Sequence, residues 1–143
     1  MNDNYQKKIL DKTSHPKLTD ATVTEFMSSH FIALKSNYTI KSTIEAFRVH
    51  HISGAPVVDF EGKILGVVSE YDLLLQAASK KLNSAIEFKL DVITVSPETT
   101  LKEVLVILFK NKLKWMPVVN KENYLKGVVS RIDVLNFIAT HND

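Results

Sequence analysis

Residues 66–74 read GVVSEYDLL, and residues 127–135 read GVVSRIDVL. The pattern returns after sixty-one positions, and sliding the chain by that distance aligns, without a gap, residues 31–74 with residues 92–135. Ile32 meets Ile93, Thr39 meets Thr100, Lys41 meets Lys102, and Pro56-Val57-Val58 meets Pro117-Val118-Val119. Glu61 with Glu122, Asp72 with Asp133 and Leu74 with Leu135 extend the match. A single duplication predicts a pair of related halves rather than a solenoid, which needs three or more stacked units.

The order of elements is clearest in the second copy. Residues 91–95 (DVITV) form a predicted short strand, and Ser96-Pro97-Glu98-Thr99 turns the chain, with the proline disfavouring helix before it. Thr100 and Glu103 have the spacing of a capping box, and Leu101, Val104, Leu105, Leu108 and Phe109 recur at helical period. Residues 116–119 (MPVV) and 124–130 read as two strands joined through a polar turn, and a last helix begins near Ser130. The first copy repeats this with a helix over 40–49, strands over 55–58 and 63–69, and Gly62 in the turn. Each copy is therefore strand, helix, strand, strand, helix, an α/β (α+β) unit. So small a sheet with helices on one side leaves apolar surface uncovered, and the halves are expected to pack together with pseudo-twofold symmetry. The predicted division is an arm of possible flexibility over residues 1–19, a first repeat over 20–80 and a second over 81–143.

Composition narrows the function classes. The 143 residues suffice for one compact domain or two small packed halves, and 45% hydrophobic with 24% charged residues is the balance of a globular protein. Eighteen basic and sixteen acidic residues are scattered along the chain, which argues against nucleic-acid binding. The chain has no cysteine, so disulfides, thiolate metal sites and cysteine nucleophiles are excluded. No apolar run reaches membrane-spanning length, and the start MNDNYQKKIL lacks the layout of a secretory signal, so a cytoplasmic location without membrane contact is expected. His50 and His51 are adjacent and point different ways, which does not favour a metal site. No nucleophile, base and orienting group recur at a recognisable spacing, so the expectation is that the chain is not an enzyme.

Ser69-x-x-Asp72 and Ser130-x-x-Asp133 sit where a strand runs into a helix. As helix caps they need no further explanation: the serine oxygen accepts a first-turn N–H, and the acid suits the positive end of the dipole. A cap alone does not require the upstream glycine, the two valines, or the recurrence in both copies. A strand that enters a helix N-terminus also makes an anion-binding corner, and a carboxylate one turn in is suited to accept from paired sugar hydroxyls. Phosphate together with ribose points to a nucleotide.

With PVVD and GVVSEYDLL in one copy, and TVSPETTL, PVV and GVVSRIDVL in the other, the sequence from about Thr22 to Thr140 resembles the tandem CBS domain, or Bateman module, named for cystathionine β-synthase. The resemblance implies two clefts between the halves that bind adenosine-containing ligands. The motif aspartate would hold ribose, the serine would lie near phosphates, and residues around the PVV strand would contact the base. That assigns Asp72, Ser69, Ala55 and Pro56 to one cleft, and Asp133, Ser130, Met116, Pro117, Thr94 and Val95 to the other. The implied ligand is an adenine nucleotide (AMP, ADP or ATP) or S-adenosylmethionine, acting as a regulatory signal with no cofactor required. The resemblance also implies a homodimer, and with no fused effector the regulated target protein would act in trans. The alternative is a ligand-free dimerisation or interaction scaffold.

Two further expectations concern single residues. Arg131 follows the second serine where Glu70 follows the first; if both face the phosphates, the second cleft is favoured by about one to three kcal/mol. Trp115 replaces Gly54 beside the expected base site and is a candidate for stacking on adenine or for filling a core or dimer contact. Upstream, residues 22–27 (TVTEFM) predict a short helix after Asp20, with residues 84–88 (SAIEF) as the weaker counterpart.

Overall fold

The computed structural model describes residues 16–141. Most of the expected arm, residues 1–15, lies outside the described residues; Pro16–Thr19 form one helical turn, and Leu18 is buried in a core. The chain divides into two compact units that do not coincide with the sequence repeats. The first unit holds residues 31–92 and 122–125; the second holds 16–30, 93–121 and 126–141. Each unit is built on one repeat and takes in the lead-in segment that precedes the other repeat in sequence.

In the first unit, β1 (Leu34–Lys35) runs parallel to β2 (Gly54–Val58), which pairs antiparallel with β3 (Ile64–Ser69). Helix α1 (Ile40–His50) opens on Thr39, whose hydroxyl accepts the Ser42 N–H at 3.0 Å while Ser42 Oγ accepts the Thr39 N–H at 2.9 Å. Ile40, Thr43 and Phe47 recur on its buried face, and His51, left-handed at φ 54°, ends it by donating its N–H to the Phe47 carbonyl. Helix α2 (Glu70–Ser79) leaves β3 directly. The second unit repeats the plan with α3 (Leu101–Lys110), the hairpin β4 (Trp115–Val119) and β5 (Leu125–Ser130), and α4 (Arg131–His141). Lys112, sixty-one positions after His51, is left-handed at φ 53°, and Asn123 at φ 71° stands where the first unit has Gly62 at φ 95°. Asparagine is one of the few side chains that tolerate this conformation, so the turn survives the loss of glycine.

The strand expected over residues 91–95 shrinks to one parallel bridge, Val95 to Val118. The Val95 N–H donates to the Pro117 carbonyl at 3.1 Å, and its carbonyl accepts from Val119 at 2.9 Å. The next donor on that edge would belong to residue 97, a proline without an N–H, and Ser96 gives its N–H to Thr99 Oγ1 at 3.0 Å. The lead-in helices also differ from expectation. Residues 22–27 contain only a 3-10 turn, Val23–Glu25, opened by Thr22, whose N–H donates to the Glu25 carboxylate at 2.8 Å; Asp20 is not its cap. Residues 84–88 are not helical, because their backbone serves α1: Ile40 and Lys41 donate to the carbonyls of Ser84 and Leu82, and Ile86 donates to Tyr38. Val23 and Leu101 make the equivalent exchange in the second unit, donating to Thr99 and Ala21.

These lead-in segments complete the cores. Ile86 joins Leu34, Ile40, Phe47, Val57 and Val68 in the first unit, and Leu18, Ala21, Val23 and Phe26 join Val104, Met116, Val118 and Val129 in the second. Each segment also lies along the hairpin as an added edge. Lys89 bridges antiparallel to Val67, and Ser28 to Val128, again at equivalent positions. The segments are anchored differently. In the first unit the buried amide of Gln76 donates to the Glu87 carbonyl at 2.9 Å and accepts the Glu87 N–H at 2.8 Å. The equivalent pair in the second unit is Phe137 and Phe26, with ring centroids 5.2 Å apart.

The close approach of these segments explains the repeated glycine. A Cβ on Gly66 would collide with the Lys89 carbonyl and lie 2.7 Å from the Phe88 ring. A Cβ on Gly127 would lie 2.8 Å from the Ser28 carbonyl and 2.9 Å from Met27 Sδ. Gly66→Ala is therefore expected to lower unfolding stability by about 1–3 kcal/mol in urea titration. Gly127→Ala should cost less, because one of its two closest neighbours is a flexible methionine end. Equal, negligible costs for both would contradict this packing.

Candidate functional site

Each repeated motif forms a corner where the sheet hands the chain to a helix. In the first unit, Gly54 pairs with Ser69 and Ala55 with Val68, and the Glu70 N–H donates across to the Ser53 carbonyl at 2.8 Å. Ser69 Oγ accepts the Asp72 N–H at 3.1 Å and donates to Asp72 Oδ2 at 2.9 Å. In the second unit, Ser130 Oγ accepts the Asp133 N–H at 3.2 Å, while Asp133 Oδ2 accepts the Ser130 N–H at 2.8 Å. Both serines are thus caps, and both carboxylates are half-buried beside a helix N-terminus.

The other residues expected at these corners differ in what they leave exposed. Val95 and Pro117 are joined by a backbone hydrogen bond, with Thr94 half-exposed next to them and Met116 preceding Pro117 on β4. Ala55 and Met116 are core side chains, 1% and 0% exposed, so what they present outward is backbone. Pro56 and Pro117 are buried in their strands, and Trp115, half-buried, opens β4.

Arg131 departs from expectation. Its Nε donates to the Leu113 carbonyl at 2.7 Å, and its side chain lines the groove between α3 and α4 with Phe109, Lys112 and Leu135. Arg131 and Asp133 are two positions apart, which is about 200° of helical turn, so the two side chains leave on opposing faces. Glu70 likewise lines the groove between α1 and α2 with Arg48 and Tyr71. The condition under which Arg131 and Glu70 would discriminate between phosphates, that both face the corner, is not met.

A different residue makes the corners unequal. Lys89 Nζ stands 3.7 Å from Asp72 Oδ1, in a shallow recess that Gln76, Ser79 and Glu87 also line. The equivalent of Lys89 is Ser28, whose hydroxyl turns away to donate to the His30 carbonyl at 2.9 Å. Asp133 accordingly has no ion pair among the described residues, and its Oδ1 is not engaged by any described side chain. Sequence reading missed Lys89 because the repeats share little identity upstream of residue 31; the sixty-one-residue offset, carried back past the matching stretch, is the one signal that pairs it with Ser28. His50 and His51 belong to no group of metal-ligating side chains among the described residues.

The family model for the CBS domain matches residues 23–79 and again 86–140, and the chain belongs to the CBS domain family. An uncharacterized protein of Methanocaldococcus jannaschii is 27% identical over 113 residues, which is 79% of this chain and 42% of the relative. The chain spans about two fifths of the length of this and two further curated relatives from that organism. Among solved structures, CBSX2 in complex with AMP superposes with a TM-score of 0.77 at 24% identity, covering 85% of this chain and 98% of that one. The CBS domain pair of protein MJ0100, in complex with 5′-methylthioadenosine and S-adenosylmethionine, gives 0.73 at 24% identity over 84% of this chain and 97% of that one. These likenesses establish the fold, an α+β arrangement of two repeats.

As caps, the two motifs have a measurable cost of removal. Asp133→Ala leaves the Ser130 N–H without its acceptor and should lower unfolding stability by about 1 kcal/mol, read from urea midpoints. Asp72→Ala should cost a similar or smaller amount, since its exposed lysine partner contributes little.

Proposed function

We propose that this chain is a non-catalytic regulatory module of the cytoplasm that binds an adenosine-containing ligand at its Ser-x-x-Asp corners, assembles as a homodimer, and acts on a separate target protein in trans. The observation that carries the reading is the second corner. Asp133 is fixed by its bond to the Ser130 N–H, keeps Oδ1 free of any described partner, and sits at a helix N-terminus. A carboxylate so held accepts from vicinal ribose hydroxyls without first breaking an ion pair, and the helix end tolerates the anionic part of a nucleotide. The solved relatives that carry AMP, and 5′-methylthioadenosine with S-adenosylmethionine, support adenosine as the common element.

The same reasoning ranks the corners. At the first, ribose must displace Lys89 from Asp72, and an exposed pair of this kind contributes up to about 1 kcal/mol. The second corner is therefore the tighter one, on the ground of Lys89 rather than of Arg131. Ligand then shifts the module between packings only by its differential affinity for them.

Thermal unfolding against AMP, ADP, ATP, S-adenosylmethionine and guanosine counterparts, with Trp115 fluorescence in parallel, tests the proposal. Stabilisation should reach about 2.7 kcal/mol at a hundredfold excess over the dissociation constant, for one adenosine ligand and not its guanosine counterpart. Asp133→Ala should abolish that gain beyond its cost as a cap. A flat panel at millimolar ligand would instead support the ligand-free scaffold. In the Asp133→Ala background, Lys89→Ser is expected to strengthen the remaining binding up to roughly fivefold by calorimetry, and weaker binding would show that Lys89 is a ligand contact.

A further inference from the structure

Each unit has, apart from its corner, a groove between its two helices, and the two grooves have diverged. In the second unit α3 and the turn after it supply Leu105, Leu108 and Lys112, and α4 supplies Arg131, Leu135 and Ile138, spaced on each side at three to four residues. The Arg131 N–H donates to the Lys114 carbonyl at 3.0 Å, which holds the start of α4 beside the end of α3. Lys112 and Arg131 therefore mark one end of the groove, and Leu105 and Ile138 the other, about 10 Å away at 1.5 Å per residue. The groove encloses about 420 Å³, within the range of small-molecule sites. Its edges lie in water, with Leu135 59% and Phe109 45% exposed.

The groove of the first unit lacks this division into an apolar length and a cationic end. Where the second has Phe109, Arg131 and Ile138, the first has Arg48, Glu70 and Ala77, so its apolar lining is interrupted and its charges balance. The divergence in charge extends along the chain, with Lys110, Lys112 and Lys114 at the positions of Val49, His51 and Ser53. All three lysines are exposed, and neither Lys112 nor Arg131 has an ion-pair partner among the described residues. The bond from Arg131 Nε to the Leu113 carbonyl at 2.7 Å fixes the guanidinium and leaves its two terminal nitrogens to donate.

We infer that the groove of the second unit is a binding site for a medium-chain alkyl carboxylate, with the carboxylate paired to Arg131 and Lys112 and the chain lying between α3 and α4 toward Leu105 and Ile138. Charge complementarity at one end and apolar cover along the rest give the two parts of such a ligand their places. Burial of the chain supplies most of the affinity, and the fixed guanidinium sets the direction in which the ligand lies. The site stands apart from the Ser-x-x-Asp corner, because Arg131 and Asp133 leave α4 on opposing faces.

Isothermal titration of the full chain with decanoate, kept below its micelle concentration, tests the inference. One decanoate should bind per chain, octanoate should bind roughly tenfold more weakly for its two fewer methylenes, and decyltrimethylammonium should not compete. R131E should weaken decanoate binding roughly tenfold or more, and R131K by less, because lysine keeps the charge but loses the planar fork. E70R, in the groove of the first unit, should leave decanoate binding unchanged. Both positions are exposed, and urea midpoints matching the parent chain show that a loss of binding is not a loss of fold. Equal affinity for the cationic amphiphile, or binding indifferent to R131E, would show unspecific adsorption to apolar surface and overturn the inference. A groove covered by a second copy of the chain, or shaped for an acidic helix of a protein partner, would leave the decanoate titration flat and overturn it as well.

Discussion

The fold depends on a backbone crossing. At Val67 and again at Val128 a segment from outside the repeat runs antiparallel along the hairpin, and its carbonyls at Lys89 and Ser28 lie where a side chain at Gly66 or Gly127 would be. That single approach closes the sheet edge, brings Ile86 into one core and Val23 and Phe26 into the other, and sets what stands beside each motif aspartate. An edge strand left open would expose unpaired N–H and C=O groups, and the crossing satisfies them with a segment that also supplies apolar cover. The glycine is thus a requirement of assembly, and the serine and aspartate after it inherit their position from the same strand.

Duplication followed by divergence shows which parts of the unit the physics constrains. Positions that meet the core or the crossing keep their identity: Pro-Val-Val, Gly-Val-Val-Ser and the motif aspartate. Positions free of those constraints solve one problem two ways. A buried amide paired with backbone at Gln76 and Glu87 does the anchoring that two phenyl rings do at Phe137 and Phe26. One solution is directional and fully hydrogen-bonded, the other is apolar area, and either suffices because both bury their groups without leaving a polar atom unpaired.

Much of this was legible in the sequence because the signals are local or periodic. The capping residues Thr39 and Thr100, the helical spacing of Leu101, Val104 and Leu108, and the turn at Gly62 each follow from a few neighbouring residues. The strand at residues 91–95 was misjudged because a ladder depends on a donor two residues beyond it, at Pro97. The lead-in segments were assigned to the repeat they precede, whereas the contacts that place them are made with residues of the other repeat, a relation that carries no local pattern. Lys89 was invisible for the same reason. Arg131 is a different case: the expectation was conditional on its facing the phosphates, and the helical period that separates residues 131 and 133 instead turns it toward the Leu113 carbonyl.

That separation gives the motif two faces. Within nine residues, Ser69 and Asp72 look toward the corner while Glu70, Tyr71 and Leu74 look toward the groove, and the second copy repeats the division with Ser130 and Asp133 against Arg131, Ile132 and Leu135. The helix between them is a stiff element whose first turn is held by the cap. A group held at the corner and a contact made at the groove would therefore act on one rigid element from opposite sides. Linkage makes any effect mutual: whatever free energy occupancy of the corner adds to the groove contact, the groove contact returns to the corner. No long pathway separates the two faces, because about three turns of one helix, α2 in the first unit and α4 in the second, carry both.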